Sequence, residues 1–297
     1  MTATWRDIAR KDFEDAARSR MLWGLIAVFV AFLAMALPVA EQLFPEAATV
    51  TPTKALAGVA MLAQLFVPGI ALVAAYMAIV GERRSGSLRV LLSYPLSRRD
   101  VVVGKLAGRL LVTATALTVG YAVASVLVVT LYRMPDLGTF VGFVGAGMLV
   151  GITFTGLAIG GSAAASSRGG ALTLTVGSFA TMVFFWKPVA AGIYYAITGS
   201  LPGLHADRWY FLLKRLNPLE AFRVLTSTVL DQEVSAVPRF PVEDIPTSAS
   251  AEQLALAARL DTVPFYLEAW FSVVVLIAWG VGPVLLGAWR FERADLG

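Results

Sequence analysis
The stretch GERRSGSLRVLLSYPLSRRDVVVGK, residues 81–105, interrupts a sequence otherwise suited to the inside of a membrane. It carries Glu82, Arg83, Arg84, Arg89, Arg98, Arg99, Asp100 and Lys105, yet Ala55–Val80 before it and Leu110–Tyr132 after it hold no charge. A helix needs about 20 apolar residues to cross the hydrocarbon. Further uncharged runs occur at Met21–Ala40, Leu137–Ser167, Gly169–Trp186 and Ala269–Trp289, so the expected fold is an all-α membrane protein with six transmembrane helices. At that depth every backbone N–H must find a partner within the protein, which makes such spans helical. The alternation of a transmembrane β-barrel is absent. Composition agrees, with 58% hydrophobic and 15% charged residues, against about 25% charged in soluble domains.

Basic residues favour the cytoplasmic side of short loops. Arg6, Arg10, Lys11, Arg18 and Arg20 precede the first span, and the 81–109 region adds Arg83, Arg84, Arg89, Arg98, Arg99, Lys105 and Arg109. The loops 41–54 and 133–136 hold only Lys54 and Arg133. Both termini are therefore expected in the cytoplasm of a cell-membrane protein, with Arg290 and Arg293 closing the last helix. This bias accounts for most of the net charge of +4, and nucleic acid is not needed as a partner.

The expected order is a cytoplasmic amphipathic helix at 1–20, two spans at 21–80 and the charged connection at 81–105. Three spans follow at 106–187, then an extracytoplasmic segment at 188–268, a last span at 269–289 and a tail at 290–297. In the first element Trp5, Ile8, Ala9, Phe13 and Ala16 recur at helical spacing, and Thr4 with Asp7 forms a capping box. Such a helix would lie on the inner leaflet with its aromatic face down, as an anchor or as a grip for a partner. Ala34-Met35-Ala36 resembles a signal-peptide cleavage site, but the acids before Met21 speak against one.

The fourth span carries Gly138/Gly142, Gly147/Gly151 and Gly156/Gly160, small-residue pairs that allow close helix packing. Their nine-residue offset turns the middle pair about 180° from the outer two. Trp186-Lys187-Pro188 is expected to end the fifth span, leaving the apolar stretch after it as a re-entrant or interfacial piece. The acidic region from Asp231 to Glu268 should contain a short helix capped by Ser250 and Gln253. Its carboxylates show no metal-ligand spacing. The chain has no cysteine and hence neither a disulfide nor a thiolate metal site.

Within the charged connection, Leu88, Leu91 and Leu92 form an apolar stripe after Ser85-Gly86-Ser87. Pro95 then breaks the chain, and Ser97 with Asp100 caps a helix running through Lys105 into the third span. Two readings remain open on these residues alone: a rigid helix docking on a soluble partner, or a surface helix on anionic lipid. The run Glu82, Gly86, Ser87, Leu88, Leu91, Leu92, Pro95, Leu96, Ser97, Arg98 and Lys105 resembles the corresponding loop in permease subunits of type-2 ABC transporters. LNPLEAFRVL (Leu216–Leu225) and RFERADL (Arg290–Leu296) extend the resemblance.

It implies a permease that dimerises with a second copy or a paralogue. Its coupling helix would dock on a separate ATP-binding subunit through Glu82, Arg83, Arg84, Gly86, Ser87, Leu88, Leu91, Leu92, Pro95, Ser97 and Arg98. ATP and magnesium would be bound by that partner, and this chain would hold no cofactor or metal. One subgroup with this loop resembles the permease that serves copper-site maturation of nitrous-oxide reductase. The sequence offers no copper ligands to match: its one histidine is His205, and its methionines do not cluster.

Other classes fare worse. The chain has no G-x-x-x-x-G-K-[ST] loop and should not hydrolyse ATP itself. An intramembrane protease would need a histidine or acids within the spans. A secondary carrier usually keeps a charge near the midplane, whereas these spans offer Gln64 and hydroxyls. That carrier, or a structural membrane protein uncoupled from ATP, is the alternative to an ATP-driven exporter.

Overall fold
The computed structural model describes residues 4–20, 51–91, 93–238, 241–246, 256–260 and 262–294, with scattered positions at 23–34 and 253. Most of the expected first span, Leu92 and the Ser250 cap lie outside the described residues. Among the described residues the secondary structure is helical, with no strand beyond an isolated bridge between Gly203 and Asp244.

The helices are α1 (Trp5–Ala17), α2 (Pro52–Ala75), α3 (Val80–Ser85), α4 (Ser87–Leu91), α5 (Arg98–Tyr132) and α6 (Leu137–Ala164). They continue with α7 (Arg168–Thr198), α8 (Arg208–Arg215), α9 (Pro218–Leu230), α10 (Leu256–Arg259) and α11 (Ala269–Arg293). Among the described residues, five runs are long and apolar enough to cross a membrane: 52–85, α5, α6, α7 and α11. Local chemistry sets their starts. The Thr51 hydroxyl accepts from Lys54 N–H at 3.3 Å ahead of Pro52, and Asp136 accepts from Thr139 N–H at 3.0 Å.

The central helix is α6. Its Gly156 and Gly160 meet α11 through backbone: a Cβ at Gly156 would lie 2.1 Å from the Gly280 carbonyl, and one at Gly160 2.2 Å from that of Pro283. Gly147 and Gly151 instead receive Tyr121 and Leu117 of α5, and Gly142 receives Val229 of α9. Among the described residues, a Cβ at Gly138 would meet only its own cap Asp136, in the first turn of α6, and no neighbouring helix.

Two expectations for the region after 186 are corrected. Helix α7 does not stop at Trp186-Lys187-Pro188 but runs on to Gly199, whose φ of 74° ends it. A proline ring presses on the carbonyl four residues back, and the wide π-turn at Thr181–Phe185 relieves that clash. The segment that inserts among the long helices is 208–238 rather than 188–206. Asn217 caps α9 through Leu219 N–H at 2.9 Å and donates to Met182 O of α7 at 2.8 Å. Trp279 Nε1 of α11 donates to Leu216 O at 2.8 Å, and Gln64 Nε2 of α2 donates to Ser235 O at 2.8 Å. Buried Arg215 holds the Leu267 and Glu268 carbonyls, both at 3.0 Å.

Candidate functional site
At 35 residues, α5 is about 50 Å long, more than the roughly 30 Å of hydrocarbon. Its first turns can therefore stand clear of the apolar layer. Ser97 starts them: its Oγ accepts from Asp100 N–H at 3.1 Å, and its own N–H donates to Asp100 Oδ2 at 2.9 Å. Helix α1 lies along this projecting part. A Cβ at Gly104 would come within 2.7 Å of Trp5 O, and one at Gly108 within 2.8 Å of Ala9 O. The contact buries Ile8, Ala9, Asp12 and Ala16, so much of the face expected to meet lipid meets α5 instead. The expected capping box is present, with Thr4 N–H donating to Asp7 Oδ2 at 2.8 Å. These hydrogen bonds, the backbone one foremost, hold the Asp7 carboxyl below its ordinary value.

Asp12 is the acid on this otherwise apolar stripe, and sequence reading passed it over. Its side chain is 2% exposed and faces two cations of α5. Lys105 Nζ donates to Asp12 Oδ1 at 2.7 Å and also bonds the Glu82 carboxylate of α3. Arg109 Nη2 donates to Asp12 Oδ1 at 3.0 Å, and its Nη1 takes the Ala74 carbonyl at the end of α2. Two acids and two bases thus join α1, α2, α3 and α5 at one point. Formal charge balances there, as a largely buried cluster requires.

Beside this cluster the span formed by α2 and α3 breaks at residues 76–79. The fully buried Ser162 Oγ of α6 accepts from Ile79 N–H and Val80 N–H, both at 3.1 Å. The break is therefore hydrogen-bonded on both sides, by Arg109 and by Ser162. Gly86, at φ 77°, then turns the chain sharply from α3 into α4.

Placement divides the residues expected to dock a partner. Glu82 turns inward to Lys105, and Leu88 is 2% exposed within the core. Leu91 and Leu96 pack partly on that core, and Arg83 is half-buried. Arg98 donates to the carbonyls of Phe291, Glu292 and Ala294 at the end of α11. Arg84, Ser87, Pro95 and Ser97 are exposed. Val90 (64% exposed) and Tyr94 (57%) carry the apolar surface that the leucines were expected to supply. The signal was available: two residues of helix rotate by about 200°, so a buried Leu88 turns Val90 outward. Among the described residues no three His, Asp or Glu side chains gather as metal ligands would.

Residues 6–296 match the ABC-2 family transporter proteins. The chain belongs to this family. It is 33% identical over 267 residues to a probable ABC transporter permease protein NosY of Pseudomonas aeruginosa, covering 86% of this chain and 93% of that one. A protein of the same name from Stutzerimonas stutzeri is 29% identical over 293 residues, covering 95% of this chain and 98% of the relative. The permease is thus a non-catalytic, multi-pass membrane subunit of an ABC transporter, a class that works with an ATP-binding partner subunit.

Proposed function
We propose that the permease forms the translocation pathway of an ATP-driven exporter, as a dimer with a second copy or a paralogue. It is coupled through residues 81–105 to a separate ATPase subunit that binds ATP and magnesium. Six spans with both termini cytoplasmic place that connection where the ATPase works. The reading rests on one observation: an exposed apolar tip, Val90 and Tyr94, on a base fixed by the Asp12–Lys105–Glu82 ion pairs. A fixed base with an exposed aromatic suits transmission of force to the spans, because a mobile tip would absorb the displacement. Arg215 and Arg259 hold the outer segment to itself, donating to the Leu267 and Leu204 carbonyls.

The test is purification of the tagged permease in mild detergent, with identification of co-purifying subunits and an ATPase assay. Tyr94→Asp should weaken partner binding about 30-fold, the loss of a strong anchor, without lowering the yield of folded permease. A partner retained at full stoichiometry by the variant, or no nucleotide-binding partner in wild type, would refute this coupling surface.

A further inference from the structure
A second group of charges lies where α7 meets α8 and α9. Lys187 of α7 belongs to it, next to Trp186, whose Nε1 donates to Leu213 O at 2.9 Å. The two acids of the group are already taken. Glu220 accepts from Arg223 through both oxygens, at 2.6 and 3.0 Å, and Glu243 accepts from Tyr210 at 2.7 Å and from Lys214. Lys187 is left with the weakest contact, 3.9 Å to Glu220, beyond hydrogen-bonding distance. Among the described residues its ammonium has no hydrogen-bond acceptor, although the side chain is only 25% exposed.

The charges do not balance either. Lys187, Lys214 and Arg223 face Glu220 and Glu243, which leaves one positive charge over in a largely buried setting. Buried Arg215 and Arg259 add two more, but each is satisfied by backbone carbonyls. The other acids described in this segment, Asp207, Asp231, Glu233, Asp244 and Glu268, are exposed, where water and salt screen them. The cytoplasmic cluster around Asp12 pairs two acids with two bases, whereas this one is short of an anion. Depth points the same way. Exposed Arg168 starts α7 at one boundary of the membrane, and from there to Lys187 the helix rises about 28 Å at 1.5 Å per residue. That is nearly the thickness of the hydrocarbon. The ammonium therefore sits at the far boundary, within reach of headgroups and dissolved ions.

A lysine ammonium is a compact point charge with three donors, suited to an anion with several oxygens. We propose that Lys187 is an oxyanion-binding residue, seating a phosphate or sulfate group that supplies the missing charge and hydrogen bonds. That group belongs either to a phospholipid headgroup or to a free anion. The site requires only that α7 spans the membrane; that its far boundary is the outer one rests on the topology proposed above.

The experiment uses delipidated full-length permease in neutral detergent and chloride buffer, and it has two arms. In one, millimolar sodium sulfate is titrated while the melting temperature is read. In the other, phosphatidylglycerol or diacylglycerol of identical chains is titrated while retained lipid is counted by native mass spectrometry. A free anion at the site raises the melting temperature of wild type but not that of Lys187→Met. A headgroup at the site makes wild type retain phosphatidylglycerol at about ten-fold lower concentration than Lys187→Met, the scale of one charge-assisted hydrogen bond, with diacylglycerol retained equally by both. Lys187→Arg, which keeps the charge, should keep whichever response wild type shows. Without added anion Lys187→Met should melt no lower than wild type, because it removes a surplus charge. The same behaviour of wild type and Lys187→Met in both arms overturns the site, and a lower melting temperature of Lys187→Met in chloride overturns it too, by showing that Glu220 already neutralises the lysine. Neither arm depends on which way the permease faces, so a failed topology would leave the result standing.

Discussion
The anchor of α1 can be broken with one atom exchange, Asp12→Asn. The amide keeps the shape but loses the charge that faces Lys105 and Arg109. Removing one partner of a buried ion pair typically costs about 3–5 kcal/mol. Here Glu82 still neutralises Lys105, and Arg109 keeps the Ala74 carbonyl, so about 2–3 kcal/mol is expected, a factor of roughly 30–150 in the docked population of α1. Hydrogen exchange reads this population directly: amides of Ile8 to Ala17 should lose that factor in protection while those at the centre of α6 keep theirs. Glu14→Gln serves as control, because its pair with Arg10 is solvent-exposed on both sides and worth at most a few tenths of a kcal/mol. Equal losses from the two variants, or unchanged protection in Asp12→Asn, would refute the claim that the buried cluster holds α1 to α5.

Ser162→Ala leaves the N–H groups of Ile79 and Val80 without their acceptor, at about 1–3 kcal/mol for a buried orphaned donor. Hydrogen exchange of residues 77–82 should rise about ten-fold or more, and unchanged exchange would show that the serine does not hold the break. In the outer segment, burial works against the Glu243 carboxylate, but the Lys214 ammonium and the hydrogen bonds from Lys214 and Tyr210 outweigh it and lower its pKa. A lowered folded-state value gives stability that is present above the ordinary glutamate range and lost as pH falls through the folded value. Limited proteolysis of residues 241–246 should therefore be slow at neutral pH and accelerate only below about pH 4.5. Glu243→Gln should be cleaved quickly at neutral pH with little further change, and a wild-type profile in that variant would dismiss the ion pair.

The span residues were legible because each must be apolar for its whole length and helical for want of water. The two capping boxes were legible because their bonds reach only three residues. Pro188 misled for a related reason: its clash is local and readable, whereas the π-turn that relieves it is not. Asp12 was hidden because a single acid on an amphipathic helix reads as solvated until a partner brings Lys105 and Arg109 against it. The exposure of Val90 and burial of Leu88 depend on how α4 sits on the core, a tertiary fact that a leucine stripe alone assigns the wrong way round. Asn217-Pro218 did announce a helix start, yet its amide also reaches α7, and no local pattern encodes that second bond.

The same contacts say how a push at the tip would travel. Helix α4 follows directly from α3, and α3 is tied through Glu82 to Lys105, so displacement reaches α5 before it can dissipate. As a continuous helix, α5 carries α1 with it through Asp12. By contrast, α6 and α11 interlock through backbone at Gly156, Gly160, Gly280 and Gly287, where any shift meets immediate overlap. Between α5 and α6 the contact is made by side chains. Tyr121 rests on Gly147 with no hydrogen-bond partner for its buried hydroxyl among the described residues, and Thr113 meets Thr155 at 2.9 Å. Relative motion between an α1–α3–α5 body and an α6–α11 body should therefore pivot about the start of α5, where Arg98 and Arg99 tie it to the end of α11, and α2 must serve both. The break at residues 76–79 is where it can do so, since Arg109 of the first body and Ser162 of the second hold its two sides. Exchange at 77–82 in Ser162→Ala is therefore also a measure of how firmly the two bodies are joined.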